Sequence, residues 1–350
     1  MGANILSFLQ DFETNAQEIV VESYAEMAKN NWIQEIQTEL PVKTRKEVVH
    51  WLLDTAQIEE IGGAGGSMTF ESLDQVIAEY THKHHGKGLE MSRDDFEDLD
   101  AGGVQLGAAW MRQTGAYMGY YPQKLGVTAL KAGHDAASIG YDGQVFFSAA
   151  HPVNPNNSGA GTYQNIFTGA ASGSYPGACP IDESVSAEVA LANLGKMIGY
   201  VRGVKGPNGE DPRFLRPKKL VVGPRLMPRA MQLTNASFIA QAATGGAGSA
   251  DVKKLVESLG LVQPVVADEL SGFESDTTFF LGCKGVDTGP IGGLVLVKRK
   301  DFEINFYTGS APSSILEAIL NRADKFQWQC KGRMAVQYGH PYELFKCKGS

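Results

Sequence analysis

Several groups of side chains in this sequence carry the right atoms for chemistry. His82, His84 and His85 form the densest imidazole group. On a strand, His82 and His84 share one face, which offers two nitrogen ligands where zinc wants at least three protein ligands. An exposed polar stretch is the simpler reading. Asp94, Asp95, Glu97, Asp98 and Asp100 crowd together, and Asp98-Leu99-Asp100 begins like a calcium loop. Gly102 stands where the next ligand belongs, however, and no Glu stands at the twelfth position. Carboxylates also favour a helix N-terminus, which accounts for the cluster without a metal. His151 follows Ser148, a base near a hydroxyl, but neither a GxSxG elbow nor an ordered triad surrounds them. Gly173-Ser174-Tyr175-Pro176-Gly177 is one glycine out of register for that elbow. Gly62 to Gly66 completes neither GxGxxG nor GxxxxGK[ST] and reads as a flexible tip. Cys179, Cys283, Cys330 and Cys347 are scattered, with no CxxC pair, as free thiols of a reduced cytosolic chain would be. No catalytic, cofactor-binding or metal-binding residue assembles from these pieces, and no cofactor is expected.

The surrounding elements must therefore do something other than position an active site. The chain has 350 residues, 43% hydrophobic and 20% charged, a composition that folds rather than stays disordered. Its net charge of −8 argues against a sequence-independent nucleic-acid binder, which needs a basic face. It is compatible with a protein that encloses nucleic acid without gripping it. No apolar run approaches the roughly 18 residues of a membrane helix, the longest candidate lying near Gly289 to Val297. The N-terminus lacks the pattern of a signal peptide, and Leu6 stands where a myristoylation motif after Gly2 needs Ser or Thr. The expected setting is a cytosol.

Residues 1–40 carry seven acids and a single base, Lys29. Ile19, Val20, Tyr24 and Met27 recur at helical spacing. Such an arm cannot form its own core, so it must lie on the parent domain or on a neighbouring subunit. Between Lys43 and Met91 the chain reads as a long excursion with a strand at Val48 to Leu53. Ser92 to about Leu130 is the strongest helical region, with Val104, Ala108, Met111, Gly115 and Met118 on one stripe. Its glycines each cost about 1 kcal/mol against Ala in a helix interior. Gly115, on the stripe between Met111 and Met118, is expected to meet another backbone, while Gly107, beside the stripe, is not. Residues 152–181 read as a long loop, and Ala187 to Gly203 as an amphipathic helix. The texture then becomes mixed α/β, with a strand at Leu220 to Val222 and helices near 225–242, Asp251–Leu259 and Ser314–Asn321. Alternation at Phe326, Trp328 and Cys330 marks a half-buried strand.

Two ordered stretches carry a resemblance. Met91-Ser92-Arg93-Asp94-Asp95-Phe96-Glu97-Asp98 opens the long helix, and Tyr141-Asp142-Gly143-Gln144-Val145-Phe146-Phe147 follows it, with Ala150-His151-Pro152-Val153 just beyond. Together they resemble the major head subunit of Mu-like tailed phages, and Arg216 to Pro224 adds a weaker match. The resemblance implies an α+β chain with the Hong Kong 97-type capsid fold. On that plan 1–44 is an N-terminal arm and 45–91 an extended loop. Residues 92–215 form a peripheral domain with a spine helix at about 92–121, 216–310 an axial α/β domain, and 311–350 the return to the peripheral domain. It further implies a structural protein rather than an enzyme, a major capsid protein that self-assembles through hexamers and pentamers into an icosahedral head enclosing double-stranded DNA. The implied partners are the chain itself and scaffold, portal and decoration proteins, with no membrane. A cellular nanocompartment shell on the same fold is the alternative, and a soluble α/β hydrolase using His151 a third reading.

Overall fold

The computed structural model describes residues 17–53, 75–92, 102–235, 238–240, 249–251, 264–285, 292–306 and 325–348. Helix α1 covers 17–29, and a 3-10 turn at Trp32–Glu35 follows, capped by Asn31, whose side chain accepts from the Ile33 N–H. Strand β1 (Gln37–Pro41) then enters a four-stranded sheet of order β1-β13-β14-β4, in which β4 is Lys83–Ser92, β13 is Leu294–Phe306 and β14 is Lys325–Tyr338. β1 runs parallel to β13, while β14 is antiparallel to both β13 and β4. A hairpin of β2 (Lys46–Leu52) and β3 (Gln75–Thr81) lays Val49, Trp51 and Tyr80 over Val295 and Val297 on one face of this sheet. The long helix α2 (Gly102–Ala132) lies on the opposite face, where Met111 and Met118 pack with Trp328 and Cys330.

The second half of the chain builds a five-stranded sheet of order β11-β8-β12-β15-β7. Its members are β7 (Ile166–Phe167), β8 (Arg216–Val222), β11 (Val265–Val266), β12 (Phe279–Lys284) and β15 (Leu344–Cys347). Helix α3 (Ala187–Arg202) covers it, burying Ala190, Leu194, Met197, Ile198 and Val201 against Leu220, Phe279 and Phe345. Ser186 caps α3 by accepting from the Val189 N–H. Helix α4 (Met227–Asn235) packs beside it.

The structure corrects several sequence expectations. Ser92 does not start a helix; it ends β4, opposite Lys325, because β14 offers ten residues of this segment a pairing partner. Helix α2 is described from Gly102, and the acids Asp94 to Asp100 lie outside the described residues. The helix end read near Leu130 holds, while the bound of 121 implied by the resemblance is too short: the helix runs through Pro122 to Ala132, because Val127 and Leu130 bury into a second core that offsets the hydrogen bond Pro122 removes. The loop expected over 152–181 contains a hairpin of β5 (His151–Asn154) and β6 (Asn157–Tyr163). The helix expected to reach 242 stops at Asn235; β9 (Phe238–Ala240) pairs instead with β10 (Ser249–Asp251). The helices expected at Asp251–Leu259 and Ser314–Asn321 fall, beyond Asp251 itself, outside the described residues.

The N-terminal segment settles on its own chain. Ile33 is fully buried, β1 is a sheet member, and α1 crosses α2 at the positions of its glycines. A Cβ built on Gly115 would lie 2.6 Å from the Val20 carbonyl oxygen and 3.0 Å from its Cα. One on Gly119 would lie 2.7 Å from the Tyr24 oxygen, and one on Gly126 2.7 Å from Ile33 Cγ1. These are backbone and packed core atoms that have nowhere to go. The sequence alone suggests that removing residues 2–38 leaves the domain folded; the structure reverses this, since that deletion strips Val20, Ile33 and the start of β1 from the core. Gly195 in α3, by contrast, faces open space. Gly115→Ala is therefore expected to destabilise the subunit by about 1–3 kcal/mol, and Gly195→Ala to stabilise it by up to about 1 kcal/mol. Urea unfolding of both variants measures this. A Gly115→Ala protein as stable as the parent contradicts the close crossing. The side-chain surroundings of Gly107 lie outside the described residues.

Candidate functional site

His151 is the centre of a densely connected polar cluster, and it is closed to solvent. Its position follows from the turn before it. Asp142 Oδ1 accepts from the Gln144 N–H at 3.2 Å, and Gly143 takes φ +76°, the left-handed conformation that glycine tolerates best. That turn aims Asp142 Oδ2 at His151 Nδ1, 2.6 Å away. His151 Nε2 lies 3.1 Å from both the Phe146 carbonyl oxygen and Asn165 Oδ1. Asn165, also fully buried, accepts from the Ser148 N–H at 2.9 Å and donates through Nδ2 to the carbonyls of Phe146 (2.6 Å) and Pro341 (3.0 Å). The imidazole stacks on Tyr163 with centroids 5.2 Å apart. Phe146 stacks on Tyr338, Phe147 meets Phe280, and Tyr141 stacks on Trp51 of β2.

This geometry cannot run the hydrolase reading. Both ring nitrogens of His151 already face oxygen atoms, no hydroxyl or thiol nucleophile is among its partners, and Ser148 Oγ accepts from the Ala150 N–H instead. The cluster is a tie: it joins the 141–153 segment to the C-terminal stretch 338–346 through groups whose burial demands full pairing.

The other flagged residues come apart in the structure. The rings of His82 and His84 lie 6.1 Å apart, while His85 turns to the α2 side, its Nδ1 2.8 Å from the Tyr121 hydroxyl and its Nε2 3.0 Å from the Met334 oxygen. Among the described residues no three His, Cys, Asp or Glu side chains are placed to hold a metal. Gly173 and Gly177 are positive-φ positions of a tight turn around Tyr175, not a strand-to-helix elbow. Cys179, Cys283, Cys330 and Cys347 are all free and buried. Burial pushes each thiol up, Cys330 to about 11, which removes the thiolate a nucleophile needs. Gly62 to Gly66 lies outside the described residues. Among the described residues no helix is long and apolar enough to cross a membrane.

One buried pair has no signature in the sequence. Lys346 on β15 is 1% exposed, and its ammonium meets Glu274 Oε1 at 2.6 Å, between the rings of Phe147 and Phe273. Glu274 also accepts from the Thr278 hydroxyl at 2.6 Å. Burial alone would raise the Glu274 carboxyl; the hydrogen bonds from Lys346 and Thr278, and the Lys346 charge, outweigh it and hold the group below the ordinary carboxylate value. Glu274, Ser275 and Asp276 all take positive φ, a strained loop that the pairing holds in place.

The layered arrangement, a long helix on an antiparallel-dominated sheet with an adjoining mixed lobe, is a fold found among solved phage capsid structures. The chain is similar to a chain of the procapsid of bacteriophage JBD30, with 15% identity, TM-score 0.50, all of this chain covered and 76% of that one. It is also similar to the bacteriophage JBD30 capsid (13% identity, TM-score 0.45, 90% of this chain covered) and spans 64% of that chain's length. The mature capsid of bacteriophage PhiM1 aligns with 91% of this chain and 87% of its own, at 13% identity and TM-score 0.48. No curated protein matches. A family model described as the Mu-like prophage major head subunit gpT matches residues 9–176.

The Lys346–Glu274 pair makes a stability prediction with a sign. The folded carboxyl lies below its ordinary value of 4.5, so the unfolded chain binds more protons in that window and stability rises with pH through it. The contribution is complete above that value and is lost as pH falls through the folded one. Glu274→Ala is expected to cost roughly 3–5 kcal/mol at neutral pH by stranding a buried ammonium. Glu274→Ala with Lys346→Met should recover most of it. Urea midpoints at pH 7 and pH 4 test this; a single variant as stable as the parent at pH 7 contradicts the buried pair.

Proposed function

We propose that the chain is the major capsid protein of a Mu-like tailed phage or prophage, a shell subunit that assembles through hexamers and pentamers into an icosahedral head around double-stranded DNA. The observation that carries this reading is the family match over residues 9–176. That span contains the 141–153 segment, whose residues here form the fold's central polar tie. The net charge of −8 suits a container that does not grip its contents.

The division into an N-terminal arm (1–44), extended loop (45–91), peripheral domain (92–215, with its spine helix), axial domain (216–310) and return (311–350) belongs to the same proposal. The order of elements supports it, with two adjustments: α1 and β1 pack into the subunit's own core, so within 1–44 residues 17–41 belong with the peripheral part, and so does β13, which shares its sheet with β1, β4 and β14. Scaffold, portal and decoration proteins are the further partners proposed, with assembly in the host cytoplasm and residence in the virion.

Light scattering and negative-stain microscopy of the purified chain, alone and with its scaffold, test the proposal. Capsomers or closed shells are the expected result. A stable folded monomer at every concentration contradicts it.

A further inference from the structure

Among the described residues, one face of the four-stranded sheet is only half covered. Trp328, Cys330 and Phe302 point to the α1 and α2 side, so the alternating residues Lys331, Arg333 and Lys300 point the other way. The β2–β3 hairpin covers that second face over Val295 and Val297. Beyond it no described element covers the surface, whose floor is smooth at Gly86, and Lys331 and His84 are exposed. Arg299 Nη1 stands 3.5 Å from His82 Nε2 at its upper edge. Against these cations stands Glu303, ion-paired with Lys300, with Glu90 at the far end of β4. Burial, and then the charges of Arg299, His84 and Arg333, hold His82 below the usual imidazole range.

The matching surface is on the same chain. Helix α1 turns Val20, Ser23 and Met27 inward, and Glu18, Glu22 and Glu26 outward, each four residues from the next. They form a stripe about 12 Å long, and the only base within α1 is Lys29 at its end. Val21, beside the stripe, is an apolar side chain left 64% exposed. Lys331 and Arg333, two residues apart, stand about 7 Å from one another, and β13 places Lys300 opposite Arg333, so the two patches are of similar size. Within one subunit they cannot meet, because α1 lies on the opposite side of the sheet.

We propose that the Glu18/Glu22/Glu26 stripe of one subunit docks on the Lys300/Lys331/Arg333 face of a second copy. The contact is heterologous: two different surfaces of one chain are complementary, so each added subunit exposes the surface the next one needs. Val21 adds an apolar contact, and the paired charges set register and encounter rate more than raw affinity. The inference rests on the reading of the chain as a shell subunit.

Charge reversal decides it. Chains carrying Glu18→Lys, Glu22→Lys and Glu26→Lys, chains carrying Lys331→Glu and Arg333→Glu, and chains carrying all five are assembled beside the parent at low salt. Circular dichroism melts check that each is folded, with Gln replacements at the same positions as a milder set. Each partial set is expected to raise the concentration needed for assembly by about tenfold, and the five-fold variant to return close to the parent. Partial sets that assemble like the parent overturn the contact while leaving the shell reading intact. So does a failure of the five-fold variant to recover, or a base-reversed chain that builds normal shells and loses only DNA content. If the parent itself builds no shells, the shell reading falls and the contact with it.

Discussion

Helix α1 can lie on helix α2 only because Gly115 and Gly119 remove the side chains that would keep the two backbones apart. The rest of the peripheral structure follows from that approach. With α1 seated, Val20 joins Met111, Met118, Trp328 and Cys330 in one core, and Tyr24 reaches over to hydrogen-bond Asp301 on β13 at 3.1 Å. About two turns further along α2, Ile33 fills the space above Gly126, and the chain is delivered to the edge of the sheet, where β1 runs parallel to β13. Each glycine in a helix interior costs about 1 kcal/mol in propensity, and the contact it allows must return more than that. The N-terminal segment is thus a wall of the core, with its acidic side left over for something outside the subunit.

The second constraint is the polar tie. β14 ends at Tyr338 in one sheet and β15 begins at Leu344 in the other, so the few residues between them carry the chain from the first core to the second. Asn165 holds that crossing through the Pro341 carbonyl, and His151 and Asp142 hold Asn165. The Lys346–Glu274 pair fastens the far end of the same stretch. Buried polar groups of this kind contribute little net stability when satisfied and cost heavily when broken. They fix which arrangement of the two sheets is the folded one.

Part of this was legible in the sequence. Gly115 between Met111 and Met118 announced a close crossing, because a glycine on an apolar stripe makes sense only where something needs the room. The Asp142-Gly143 turn and the buried strand at Leu220 to Val222 were also readable from local chemistry. Ser92 reads as a helix start because carboxylates follow it, and nothing local shows that β14, more than two hundred residues away, claims it as a strand end. Glu274 and Lys346 are 72 residues apart and sit in unrelated local patterns. The arm's resting place was open for the same reason: amphipathic spacing says that a helix must bury one face, not whose surface will bury it.

Hydrogen–deuterium exchange on the unassembled subunit tests the central claim, that residues 17–41 are part of the subunit's own core. If the account is right, the amides of α1 and β1 are protected before assembly and open together with those of β13. If they exchange at free-chain rates until shells form, the segment is an arm that waits for a neighbour, and the glycine crossing does not hold the structure together.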